Sequence, residues 1–297
     1  MKNKIIIVAG DPNSINSEII SKVWKKINSK VSIIKIKTID QNSSTKKLKI
    51  IDIPLKFKNV FNVSLEQSKR YILESLNLAH SLAESKNVKG LINCPINKKL
   101  LEKSQKIGVT EFLASKSKTI KGSEVMFIHN KKLSVVPLTT HIKIKDVSKK
   151  INKKLIIKKM KTLKKDYKRI FKKNPKIGVL GLNPHNAELA KGSEEVRIIY
   201  PAILQLKKKG FNIDGPISTD TLFIESYKKY DVIVGMYHDQ ILAPFKSLFH
   251  FDAINVTLGL KYVRVSPDHG PARDIIKKNK ANHLSLLRCI KFINNLN

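Results

Sequence analysis

The feature that most constrains this chain is the alternation of short apolar runs with longer stretches of helical period. Ile5-Ile6-Ile7-Val8-Ala9 is a continuous hydrophobic run that stops at Gly10-Asp11-Pro12, as a strand buried on both faces does. A helix then opens at Ser64, where Gln67 offers a capping box and Leu65, Ile72, Leu73, Leu76 and Ala83 fall on one stripe. Gly90 to Asn93 returns to a strand pattern, and Ser134 to Leu138 gives another. Residues 148–173 form a Lys-rich helix with Leu155, Met160, Leu163, Tyr167 and Ile170 on its apolar side. Strands follow at Ile177 to Leu182, Asp231 to Met236 and Ile254 to Leu260, with a helix between the first two that starts near Ser193 and is closed by Gly210. Strands that alternate with helices predict an α/β fold with a largely parallel sheet.

At 297 residues the chain is long enough for two domains and needs no disulfide to stabilise a core. Cys94 and Cys289 make neither a disulfide framework nor a cysteine metal site, so a reduced, cytoplasmic protein is expected. No apolar run reaches the ~18 residues of a membrane span. The net charge of +35 invites a nucleic-acid reading. Yet only six of the 58 basic residues are Arg, and Lys is spread along nearly the whole sequence. Base readout and phosphate forks favour Arg, so a general compositional drift explains the charge better than a binding patch, and no specific nucleic-acid partner is expected.

Three histidines follow apolar strands in the same way: His141, His185 and His238. Ligands of open α/β sheets bind at strand carboxyl ends, and three imidazoles there could converge on one divalent ion with positions left for substrate. Asp239, next to His238, could orient a ligand or simply cap the following helix. Lys246, Asn255 and Arg264 supply two cations and an amide suited to a carboxylate or phosphate. A G-x-G-x-x-G loop and a G-x-S-x-G elbow are both absent.

Eight segments carry a resemblance: GDPNSINSE at 10–18, CPINKKLL at 94–101, GVTEFLA at 108–114, LTTHIKIKDV at 138–147, LNPHNAE at 182–188, GPISTDTLF at 215–223, MYHDQILAPFK at 236–246 and INVTLGLKYVRVSPDHGPA at 254–272. In this order they resemble the 4-hydroxythreonine-4-phosphate dehydrogenases of pyridoxal phosphate biosynthesis, from Ile5 to about residue 290. The resemblance implies two α/β/α domains of the isocitrate/isopropylmalate dehydrogenase type with a cleft between them. Residues 1–115 with 255–297 would carry the cofactor loop, and 116–254 the metal ligands and dimer interface. It implies a homodimer that shares its active sites, one divalent metal (Zn, Mg, Co or Mn) on His141, His185 and His238, and NAD or NADP as cofactor. Substrate contacts carry over to Thr110, Lys246, Asn255 and Arg264, and cofactor contacts to Asp268, His269, Gly270 and Ala272. Asp220 and Lys246 are the proton-transfer candidates. The implied reaction oxidises 4-hydroxythreonine 4-phosphate to a 3-oxo acid that decarboxylates to 3-amino-2-oxopropyl phosphate.

Three departures bear on the substrate. Val109 stands where the family has a phosphate-binding histidine. Its glycine-rich loop after His185 reads Asn186-Ala187-Glu188-Leu189-Ala190-Lys191, and Ser14 and Asn16 replace glycines of the first loop. Another four-carbon phosphorylated acid, phospho-threonate or phospho-erythronate, is the alternative substrate. A metal-dependent hydrolase would use the same histidines but leaves Asp268 to Ala272 without a role.

Overall fold

The structure, a computed structural model, describes residues 4–24, 26, 31–35, 48–85, 87–101, 108–117, 122–250 and 252–296. Its strands in chain order are β1 (Lys4–Val8), β2 (Val31–Lys35), β3 (Leu48–Asp52), β4 (Val88–Asn93), β5 (Val125–His129), β6 (Ser134–Pro137), β7 (Ile177–Leu180), β8 (Ile213–Ile217), β9 (Val232–Gly235), β10 (Ile254–Leu258) and β11 (Arg264–Pro267). The chain forms two compact units. Unit 1 comprises Met1–Thr119, Phe251–Val256 and Leu260–Asn297; unit 2 comprises Ile120–His250 and Thr257–Gly259.

In unit 1 the strand order is β3-β2-β1-β4-β11, with β10 beside β11. β1 runs parallel to both β2 and β4, with Ile5 opposite Val31 on one side and Gly90 on the other. β11 joins parallel to β4 with Arg264 opposite Leu91. Being flanked on both sides explains the uninterrupted apolar run of β1, whose Ile5 to Val8 are all buried. The helix Leu65–Ala83 packs on this sheet through Tyr71, Ile72, Leu76, Ala79 and Ala83. Each of Ile72 and Leu76, fully buried, contributes ~1.5–3 kcal/mol of transfer free energy. Leu65 departs from the expected stripe, being 57% exposed in the first turn, where the helix has not yet reached the sheet. Only half of the capping box forms: Ser64 Oγ accepts the Gln67 N–H, while Gln67 Oε1 finds no hydrogen-bond partner among the described residues.

In unit 2 the order is β5-β6-β9-β7-β8. β6, β9, β7 and β8 are mutually parallel neighbours, and β5 pairs antiparallel with β6. The Lys-rich segment is two helices rather than one. Val147–Lys150 stops where Ile151 turns extended, and Asn152 caps a new helix, Lys153–Phe171, by accepting the Leu155 N–H at 2.9 Å. That helix buries Ile156, Met160, Leu163, Tyr167 and Ile170, so most of its lysines form the solvated face. Because four neighbouring strands of unit 2 point the same way, their carboxyl ends share one edge.

Candidate active site

That shared edge carries the chemistry of unit 2. His141 follows β6, His238 follows β9, His185 follows β7 and Asp220 follows β8, in the spatial order of the strands. Adjacent strands are ~4.8 Å apart, which sets the scale on which their terminal side chains meet. The His141 and His238 rings lie 5.7 Å apart between centroids. His185 Nδ1 lies 3.7 Å from Asp220 Oδ2. The structure thus brings the candidates together as two pairs. Among the described residues of one chain, no three His, Cys, Asp or Glu side chains gather closely enough to hold a metal ion.

His238 begins the helix His238–Phe249, and its Nδ1 lies 2.6 Å from Asp239 Oδ1. This contact assigns the proton to Nδ1 and leaves the Nε2 lone pair for a ligand, the arrangement common to metal-binding imidazoles. Asp239 therefore orients the ring rather than capping the helix; Tyr237 occupies the cap position without a side-chain bond. Asp220 is 56% exposed, and the Ser218 side chain, the Thr221 N–H and the nearby His185 ring hold its carboxyl below the ordinary carboxylate value. It is ionised at neutral pH, a weaker base than an ordinary aspartate but an exposed one. Lys246 is half-buried two turns along the helix from His238.

Residues that sequence reasoning passed over hold these loops in place. Glu195 is buried, and its Oε1 accepts the N–H groups of Leu182 at 2.7 Å and Asn183 at 2.8 Å. Burial pushes its carboxyl up, but those donors, with the Asn183 side chain, outweigh burial and leave it below its ordinary value. Gly181 sits against the same carboxylate: a Cβ there would lie 2.1 Å from Asn186 Oδ1 and 3.1 Å from Glu195 Oε1. The segment from His185 to Leu189 has φ between +47° and +57° at every residue, although none is glycine.

Unit 1 carries a second set. Arg264 on β11 is 3% exposed, and burial pushes its guanidinium down to about 10, still charged at neutral pH. Its Nε donates to Asn93 Oδ1 at 2.6 Å and its Nη1 to Thr110 Oγ1 at 3.3 Å. Asn93, at the end of β4, is a further residue of the site that no local sequence pattern singles out. Val109 packs its alkyl group against the hydrophobic core of unit 1. The Asn255 Oδ1 and His269 Nε2 atoms are buried and find no hydrogen-bond partner among the described residues. His269 Nδ1 contacts Gly270 O at 3.0 Å, so Nε2 is the ring's acceptor. Unpartnered buried polar atoms fit a ligand that completes them. The loop carrying His269 is tied to the first loop of the chain: Ile15 N–H donates to Pro271 O, and Arg273 Nη2 lies 3.2 Å from the buried Asp11 Oδ2.

Imidazoles and a carboxylate at the carboxyl edge of a parallel sheet, with a buried arginine in a second α/β unit, define an α/β enzyme that works at strand ends. A family model described as pyridoxal phosphate biosynthetic protein PdxA matches residues 2–293. The chain is 37% identical to the 4-hydroxythreonine-4-phosphate dehydrogenase of Aquifex aeolicus (strain VF5), covering all of this chain and 99% of that one. A crystal structure of 4-hydroxythreonine-4-phosphate dehydrogenase from Klebsiella pneumoniae superposes with a TM-score of 0.84 at 29% identity, over 99% of this chain and 97% of the other. Isocitrate dehydrogenase from Methylococcus capsulatus shares the fold at 13% identity and a TM-score of 0.52, over 98% and 84% of the two chains. The chain belongs to the PdxA family and is an oxidoreductase. No described helix is long and apolar enough to cross a membrane.

Proposed function

We propose that the protein oxidises 4-hydroxythreonine 4-phosphate with NAD or NADP and a divalent metal, giving a 3-oxo acid that decarboxylates to 3-amino-2-oxopropyl phosphate. The observation that carries this reading is the row of His141, His238, His185 and Asp220 at four neighbouring strand ends. The donor set fits a divalent ion: His141 and His238 as one pair, the latter with its tautomer fixed by Asp239, and His185 as the third ligand. When bound, the metal supplies Lewis acidity at the C3 hydroxyl and the nicotinamide accepts the hydride.

The chain's own residues do the rest. Asp220 takes the hydroxyl proton as hydride leaves C3. After carbon dioxide departs, the Lys246 ammonium returns a proton to the carbon left behind. Arg264, held by Asn93 and supported by Thr110, binds an anionic group of the substrate, and the unpartnered Asn255 Oδ1 accepts from a substrate N–H or O–H. Asp268, His269, Gly270 and Ala272 form the cofactor loop, with His269 Nε2 as an acceptor for a cofactor N–H.

Since one chain brings the imidazoles together only as far as a pair, the third ligand comes from a second copy. Exposed apolar side chains a few residues past the site positions support a homodimer through unit 2: Ile144 (73% exposed), Leu189 (60%) and Ile224 (73%). Light scattering should give twice the 33.7 kDa chain mass, and Ile144→Asp with Ile224→Asp should lower both mass and turnover.

The test of the reaction is NADH formation from 4-hydroxythreonine 4-phosphate. Chelation should abolish it, Co²⁺ should restore it, and His185→Ala should cut kcat by about a hundredfold or more. Turnover unchanged in His185→Ala would refute the metal role. Phospho-threonate and phospho-erythronate belong in the same panel because Val109 offers no donor to a phosphate. Val109→His should lower KM for the true phosphorylated substrate by about tenfold, the worth of one charged hydrogen bond.

A further inference from the structure

We infer that Gln240 is a positioning residue that locks three of the site-bearing strand ends of unit 2 into one geometry. This inference rests on the metal reading above. Gln240 lies half-buried on the first turn of the helix that His238 begins. Its Oε1 accepts the Met236 N–H at 2.6 Å, at the end of β9. Its Nε2 donates to Gly181 O at 2.7 Å, at the end of β7, and to Thr219 Oγ1 at 3.0 Å, beyond β8. A carboxamide has two N–H donors, and both are used; the Met236 N–H fixes which end is oxygen. The amide therefore cannot flip without breaking its bonds to Met236 N–H and Gly181 O, since neither backbone group can exchange donor for acceptor.

Each anchor point sits beside a functional side chain. Met236 is two residues before His238, Gly181 four before His185, and Thr219 immediately before Asp220. The packing is tight as well: a Cβ on Gly235 would lie 3.1 Å from Gln240 Oε1. One side chain thus couples the positions of two candidate imidazole ligands and the candidate base through backbone and hydroxyl groups beside them. Supporting bonds of this kind govern metal affinity because they hold the ligands preorganised before the ion arrives.

The test titrates Co²⁺ into the metal-free full-length protein, following the visible d–d absorption rather than turnover. Gln240→Met keeps the length of the side chain and removes every bond; it should weaken Co²⁺ affinity by about 10- to 100-fold and alter the d–d band. Thr219→Val removes one bond and should weaken binding by about fivefold, with Thr219→Ser restoring it. Asp166→Asn is the control. It disturbs a buried carboxylate of unit 2 that accepts the Gly259 N–H at 2.5 Å, so it should lower the melting temperature and leave Co²⁺ affinity unchanged. If Gln240→Met does not fold, Thr219→Val decides. Wild-type affinity in the folded Gln240 and Thr219 variants would overturn the inference alone, as would an equal loss in Asp166→Asn. A wild-type protein that binds no Co²⁺ would overturn the metal reading and this inference with it.

Discussion

At the scale of single residues, the segment after His185 shows what the missing glycines cost. Ser14 and Asn16, which the resemblance also sets where glycines are usual, have no positive φ, and both side chains are bonded: Ser14 Oγ donates to Asp11 O and Asn16 Nδ2 to Pro95 O. Ala187 is different. Its φ of +49° lies in the left-handed region, where an L side chain costs ~1–2 kcal/mol. Ala187→Gly removes that strain and gives back part of it through the greater entropy of the unfolded chain. A net gain of about 0.5–1 kcal/mol is expected in urea unfolding. An unchanged or lower midpoint would show that the loop does not hold Ala187 in that conformation. Glu195 gives a prediction of opposite sign. Its carboxyl is held below the ordinary 4.5, so its stabilisation is complete above that pH and fades as pH falls from there through the lower folded value. Glu195→Gln should cost about 1.5–3 kcal/mol at pH 7. The gap between variant and wild type should close as unfolding is measured below pH ~4.5.

At the scale of elements, the Lys-rich helix tests how far capping matters when charge opposes it. Lys153–Phe171 has no acidic residue in its first turn and begins with two lysines against the positive end of its own dipole. Asn152 caps it by accepting the Leu155 N–H. Asn152→Ala should cost ~1 kcal/mol. Asn152→Asp keeps the bond, adds a favourable charge and should gain ~0.3–1 kcal/mol, both read as shifts in thermal midpoint. The same scale explains what the sequence disclosed. Strands β1, β4, β6, β7, β9 and β10 were legible because each is an apolar run between breakers. β8 was not, since Gly215-Pro216 sits inside it and reads as a turn; it survives as the last strand of the unit 2 order, where a missing N–H costs least. β11 is marked in the sequence only by Arg264, because its other residues include a serine and a proline. The three histidines were visible as the first polar groups past apolar runs. Gln240, Glu195 and Asn93 were not, because each also holds a backbone atom or a side chain 12 to 171 residues away, and no local pattern encodes that.

At the scale of the whole molecule, the question is what a net charge of +35 does to an enzyme with an anionic substrate. Self-repulsion among lysines opposes compactness, and added salt screens it, the Debye length falling from ~30 Å at 0.01 M to ~10 Å at 0.1 M. Thermal stability should therefore rise between those concentrations. The same field draws a phosphorylated substrate, and the proposed dinucleotide, toward the protein, so kcat/KM should fall as salt rises. The chemical step is different, since it depends on groups only a few ångströms apart, such as His238 and Asp239 at 2.6 Å, which salt screens little. kcat should hold steady. Initial rates and melting curves across one salt series separate these effects. A protein whose Tm rises while kcat/KM falls at constant kcat carries its lysines as a long-range field. If kcat/KM stays flat, the field does not reach the site, and the charge is only the compositional drift that the scattered lysines suggest.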